Sequence, residues 1–312
     1  MTSRRSLVAV ARACAALAVV VACACGLFSR DARTFAAPED AVRAVIDAAK
    51  AKKLEDVVAI FGSEGRALID SSDPATALRN LEVFRVATAE GWQLVDDTKN
   101  GKVLVIGNEK WPFPVPLARD DAGKWRFDTA AGKEEVIARR IGRNELAAIR
   151  ICRTYVAAQR LYAETGHDGR RSGLYAQAFR SDPGRQNGLY WPTAPKEKRS
   201  PLGDLVAHAA MEGKPIGQES RAPSPFHGYY FRILTTQGVD APGGAKDYVV
   251  GGEMSGGFAL VAWPAEYDAT GVMTFVVNHQ GDVHEKDLGP ETAAAAVARA
   301  RYNPGAAWEK VQ

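Results

Sequence analysis

From Pro38 to Phe61 the apolar residues recur at helical spacing: Ala41, Val42, Val45, Ile46 and Ala49, then Leu54, Val57, Val58 and Phe61. Two amphipathic helices are predicted there. Pro38 followed by Glu39 and Asp40 suits a first helical turn, where a missing N–H costs nothing and acids meet the positive end of the dipole. "SSDPATALRNLEVFRVATAEG" predicts another helix, with Asp73 as cap, Pro74 at its first position and Gly91 as its stop. After Gly91 the texture changes to short alternating runs. "WQLVDD", "KVLVIG", "PFPVPLARDD" and "KWRFDT" read as antiparallel strands, with "KNG" and "DAG" as hairpin turns. In "WPFPVPL", Pro112, Pro114 and Pro116 alternate with Phe113, Val115 and Leu117. Proline cannot donate to a ladder, so this segment is expected at a sheet edge or in an extended arm.

A long helical stretch follows, from Glu134 to Gly166. Ile149, Cys152, Tyr155, Val156, Gln159 and Tyr162 fall on one face, and Arg143, Arg150, Arg153 and Arg160 lie mostly away from it. Those arginines read as a solvated basic face or as an anion-binding surface. Glu135 and Arg139 sit at i,i+4 in the favourable order. Gly142 costs about 1 kcal/mol against alanine in a helix interior, so a kink near Ile141 or a close backbone approach is expected, and Asn144 could cap a second helix. A continuous helix over this stretch would span roughly 50 Å at about 1.5 Å per residue. That exceeds one small domain. The stretch is read as leaving a first domain and becoming the spine of a second.

Beyond the spine, His167 to Gly203 is dense in Gly, Pro, Ser and Asp and reads as loop. "PLGDLVAHAAMEG" reads as a short helix. "HGYYFRILTTQG", "DYVVGGEMSGGFALVAWPAEY", "GVMTFVVNHQG" and "DVHEKDLG" read as strands of one antiparallel sheet, with Gly281 closing a hairpin. "FALVAW" and "MTFVV" are apolar on both faces, as central strands covered by the spine would be. The expected fold class is therefore α+β in two domains: helices followed by a meander over residues 36–131, and a long helix packed on an antiparallel sheet over residues 132–312.

Helices first, then a meander ending in "GKWRFD", resembles the cystatin-like or nuclear-transport-factor-2-like α+β cone over roughly Phe35 to Asp128. Members of that class often enclose an apolar pocket, and some are isomerases or dehydratases using a pocket aspartate or histidine. Here no histidine precedes His167. From Asn144 to Asp287, the spine ending in "AAQRLYAETG", the loop, "GYYFRIL" and "FALVAWPAEYDATGVMTFVVNHQGDVH" resemble the head of type IV pilins and pseudopilins. True pilins begin their spine at the mature N-terminus, whereas a whole domain precedes this one. Taken together, "WPFPVPL", "KWRFDTAAGKEEVIARRIGRNELAAI", "GLYWP", "SPLG", "HGYYFRILTTQG", "GGFALVAWPAEY" and "GVMTFVVNHQGDVHEKDLGP" resemble a bacterial exported family, domain of unknown function 2950. That resemblance implies an exported bacterial protein and supplies neither an activity nor functional residues.

Composition and charge refine the location. The chain has 312 residues, a formal charge of +3 and an apolar fraction of 46%, enough for two domains with real cores. "MTSRRSLVAVARACAALAVVVACA" carries Arg4, Arg5 and Arg12 and no acid, then an apolar run and small residues, as a signal peptide over residues 1–24 would. The apolar run from Ala13 to Phe28 is short for a membrane span, which favours a cleaved export signal over a retained anchor. Without those three arginines the mature chain is near neutral, unlike a nucleic-acid binder. "VVAC", Val20 to Cys23, resembles a lipobox that would lipidate Cys23; cleavage after Ala24 is the alternative. Of the four cysteines, Cys14, Cys23 and Cys25 fall in or beside the export segment, leaving Cys152 as a small hydrophobe on an apolar helix face.

Common chemistries are missing at the level of motif. His167, His208, His227, His279 and His284 form no metal-ligand motif, and no metal or cofactor is expected. The acid spacing of an EF-hand, the lysine of a phosphate loop and a G-x-S-x-G elbow are not found. Asp247 and Glu253 could form a carboxylate pair, a weak pointer without a known separation. The most informative polar cluster is "RRIGRNE". Arg140 and Asn144 are i,i+4 neighbours with Glu145 beside them. They could pin the first domain to the spine or line an interdomain cleft, with Trp111 and Trp191 as its walls or as core residues. The expected function is a non-enzymatic envelope protein acting through contacts with an envelope protein or a small ligand. A hydrolase or isomerase whose site assembles only in three dimensions, and a small-molecule binder using the cone pocket, are the alternatives.

Overall fold

A computed structural model describes residues 32–69, 74–194, 196–205 and 225–311. The proposed signal peptide, Cys23, the Asp73 cap, His208 and most of the short helix expected from Pro201 lie outside the described residues. The chain divides into two compact units, Met1–Lys133 and Glu134–Gln312.

The first unit opens with α1 (Pro38–Lys50), α2 (Leu54–Phe61), α3 (Gly65–Ile69) and α4 (Pro74–Glu90). In α1 the residues at helical spacing are the buried ones, Ala41, Val42, Val45, Ile46 and Ala49 among them. The meander comprises β1 (Trp92–Thr98), β2 (Gly101–Ile106), β3 (Trp111–Pro112), β4 (Leu117–Arg119) and β5 (Trp125–Phe127). Its antiparallel order is β1-β2-β4-β5, with β3 also on β2.

The proline-rich segment holds one short strand, β3, which pairs with β2 alone and so keeps the edge character expected of it. Trp111 and Pro112 pair with Ile106 and Val105, and the Phe113 N–H reaches the Leu104 carbonyl at 2.7 Å. Pro114 and Pro116 then occupy a break in the ladder, and the chain rejoins β2 as β4, between β2 and β5. A broken strand satisfies proline's missing donor as well as an edge does. The residues between the prolines turn inward: Val115 and Leu117 are buried, and the Phe113 ring lies 5.2 Å from Phe84 and 6.2 Å from Phe127.

The helix α5 runs unbroken from Thr129 to Ala163. Its first turn belongs to the first unit, where Thr129 Oγ1 donates to the Phe61 carbonyl at 2.7 Å. It passes through Gly142 and Asn144 without a break, so Asn144 does not cap a second helix. A Cβ at Gly142 would meet nothing within 4 Å, so no close approach among the described residues explains the glycine.

In the second unit the stripe on α5 is buried at Ala148, Cys152, Tyr155, Val156, Gln159 and Tyr162, while Arg143, Arg150, Arg153 and Arg160 are exposed. The main sheet is antiparallel, in the order β14 (Glu309–Lys310), β13 (Val283–Asp287), β12 (Met273–Asn278), β11 (Ala259–Pro264), β6 (Tyr229–Leu234). Two small ladders join β7 (Thr236–Gln237) to β8 (Lys246–Asp247) and β9 (Val249–Val250) to β10 (Glu253–Met254). Every residue of β11 is buried, because the α5 stripe and Ala296 of α6 (Thr292–Ala298) share one core with it and with β12. The polar member of the stripe is satisfied in place. Gln159 donates to the Ala176 carbonyl and accepts the Ala176 N–H, both at 2.8 Å, tying the loop region to the spine.

Candidate basic cleft on the spine helix

In the second unit a cleft of about 570 Å³ runs beside α5. Arg140, Arg143, Ala147 and Arg150 line it from the helix, with Asn144 and Leu146 alongside. At spacings of three, four and three residues these positions stay on one side of a 3.6-residue helix. No acidic side chain among the described residues lines the cleft. Among the described residues none of Arg140, Arg143 and Arg150 has an ion-pair partner, unlike Arg139, which holds Glu135 at 2.7 Å.

The opposite wall is built from His227, Gly228 and Thr270. Phe226 and Tyr229 exchange backbone hydrogen bonds of 2.8 and 3.1 Å around His227 (φ 47°) and Gly228 (φ 73°). Positive φ at both central residues makes this a type I′ hairpin turn, matched to the twist of the strand it feeds. Gly228 is required for space as well as conformation, since a Cβ there would lie 2.5 Å from Asn144 Nδ2 and 3.0 Å from Thr270 Cβ.

Asn144 donates from Nδ2 to the Thr270 carbonyl at 2.8 Å. The Thr270 hydroxyl is used within its own turn, donating to the Glu266 carbonyl and accepting the Glu266 N–H, both at 3.0 Å. Glu145, one residue along, does not line the cleft. Its Oε1 accepts the N–H groups of Val272 at 2.9 Å and Met273 at 3.0 Å, charge-assisted bonds that hold the start of β12. The Tyr229 hydroxyl donates to the Met273 carbonyl at 2.9 Å, and burial, then the Glu145 charge, push its titration up. Burial likewise raises Glu285, with the charges of Glu145 and Glu309 adding to it.

Arg140 and Asn144 are thus brought into one cleft with Arg143, Arg150, His227, Gly228 and Thr270. Asn144 and Glu145 do pin the spine, but to the second unit's own sheet rather than to the first domain. Trp191 lies elsewhere in the second unit, its ring 5.5 Å from His167 and 6.5 Å from Tyr162. Trp111 belongs to the first unit, half-exposed and edge-on to Phe113 at 6.3 Å. The sequence left Arg143 and Arg150 open between a solvated face and an anion-binding surface, and it did not single out His227, Gly228 or Thr270. The available signal was the His-Gly dipeptide before "YYFRIL", a two-residue turn that needs a neighbour to pack on.

The other candidate groups are structural in their contacts. Cys152 is buried and unbridged, and burial pushes its thiol up to about 12. His279 is held below its ordinary value by burial, with Lys246 and Arg160 adding to the effect. Glu253 faces Arg171 at 3.6 Å. Among the described residues no group of histidine, cysteine and carboxylate side chains is placed to hold a metal ion, and no helix is long and apolar enough to cross a membrane. The first unit has a cleft of about 630 Å³ beside α1 and α2, but its charges are mixed: Arg43 pairs with Asp40 at 3.4 Å and Lys53 with Asp56 at 3.9 Å.

No curated protein and no solved structure matches the chain. A family model described as "Protein of unknown function (DUF2950)" matches residues 32–311, and the chain belongs to that family.

Proposed function

We propose that this protein is an exported, non-enzymatic binding module of the bacterial envelope, and that its second unit holds its ligand in the basic cleft on α5. The export part of the reading draws on the basic start, apolar run and small residues of the first two dozen positions. One observation carries the binding part: among the described residues, three arginines without ion-pair partners line a cleft that no acidic side chain lines. Guanidinium groups gathered without counter-charges repel one another, and a bound anion removes that repulsion. The walls suit such a role, because Asn144 and Glu145 lock the turn at Thr270 and the start of β12 onto the helix.

The test is to recover tagged, full-length protein from its native envelope without denaturation and to weigh it intact. A bound species retained by the natural protein and lost from an R140A/R143A/R150A variant is the expected result. A protein that carries nothing, and whose envelope crosslinks are the same with and without the arginines, would overturn the reading.

A further inference from the structure

The layout of the cleft says more about its occupant, taking the binding reading above as its basis. Arg140 and Arg150 are ten positions apart on one helix, roughly 15 Å along the axis, and lie within about 80° of each other around it. Arg143 stands one turn in from Arg140. A single inorganic anion is too short to engage both ends of that row.

Between Arg143 and Arg150 the floor is apolar. Ala147 is buried there, and Leu146 is 59% exposed. The cleft is of small-molecule size, about 570 Å³. Each guanidinium presents a fork of N–H donors that matches the paired oxygens of a carboxylate or phosphate.

We infer that the cleft binds a small, elongated molecule with oxyanion groups at separated positions and an uncharged stretch between them. One oxyanion lies at Arg140 and Arg143, the other at Arg150, and the uncharged stretch lies over Leu146 and Ala147. Carboxylate and phosphate share this chemistry, and the probes distinguish them.

Purified full-length protein would be titrated calorimetrically with acetate, inorganic phosphate, azelate (a nine-carbon dicarboxylate) and 1,8-octanediol bisphosphate. The two-ended probes are expected to bind at least about tenfold more tightly than their one-ended counterparts, since the second contact is made at high effective concentration. Arg150→Gln and Arg140→Gln should each lower the affinity for the two-ended probes at least about fivefold, to near that of the one-ended probes measured on the same variant. The better two-ended probe identifies the oxyanion. Equal affinities for one- and two-ended probes, or an advantage that survives both substitutions, would overturn the inference. Unchanged urea midpoints for the variants exclude a folding effect. If no probe binds while the native species is still lost from the triple variant, the ligand class is wrong and the binding reading stands. If the native species also persists in that variant, both fall.

Discussion

The side-chain amide of Asn144 donates to the backbone carbonyl of Thr270 at 2.8 Å, across 126 residues of sequence. Asparagine is a poor choice inside a helix because its side chain competes for backbone partners. Here it has a distant one. The contact leaves no room between helix and turn, which explains Gly228. Alanine at that position would be strained at φ 73° and would bring Cβ to 2.5 Å from Asn144 Nδ2. Gly228→Ala is expected to lower stability by at least about 2 kcal/mol, read as a shift in the urea midpoint.

Gly142 should behave in the opposite way. It lies inside a continuous helix, and a Cβ there would meet no described atom within 4 Å. Gly142→Ala is expected to raise stability by about 1 kcal/mol through helix propensity and a less disordered unfolded chain. A loss of stability in thermal or urea unfolding would show that the glycine serves a contact.

Glu145 separates charge from hydrogen bonding. Its Oε1 accepts two backbone N–H groups, and a glutamine oxygen can accept both in the same place. Glu145→Gln should cost about 1 kcal/mol, whereas Glu145→Ala, which strands both donors, should cost about 2–4 kcal/mol. Amide exchange at Val272 and Met273 would report the difference locally.

Glu285 supplies a pH dependence with a definite sign. Burial, then Glu145 and Glu309, raise its carboxyl above the ordinary value. A raised carboxyl binds its proton more readily in the folded chain than in the unfolded one. Its contribution therefore turns unfavourable as pH rises above about 4.3, the unfolded value, and levels off once the folded carboxyl has ionised. Glu285→Gln should increase stability at neutral pH and flatten that part of the profile. In Glu145→Gln, the Glu285 carboxyl followed by NMR should titrate at lower pH.

Cys152 should be inert while the protein is folded. Its side chain is buried, and its thiol is pushed up to about 12, so little thiolate forms near pH 8. An aromatic disulfide reagent at that pH is expected to react only in step with unfolding by urea. Rapid labelling of Cys152 in the native chain, located by peptide mapping, would contradict the packing of the α5 stripe.

Much of the fold is local and therefore readable in the chain itself. The period of the apolar residues in α1 and along α5, the alternation that starts at Trp92, and the doubly apolar runs at β11 and β12 each record which faces are buried. Turn chemistry is equally local, as at Gly123 and Gly281, which adopt the positive φ their hairpins need.

What the sequence could not supply are the partners chosen by topology. A proline run is compatible with a sheet edge or with an extended arm, and only the pairing of β3 with β2 alone, followed by a break before β4, shows how the segment is used. Asn144 is as plausible a cap as an anchor until Thr270 is placed beside it. Four of the five residues named as candidate cleft formers resolve in the same way: Arg140 and Asn144 line one cleft, Glu145 turns to the sheet, and Trp191 packs on His167. Amphipathic spacing identified Arg143 and Arg150 as exposed, which they are. That exposure becomes a cleft only because a turn at Gly228 and a loop at Thr270, distant in sequence, close against the same side of the helix. Periodicity determines which face of an element is buried, whereas the long-range contacts of the folded chain determine what the other face meets.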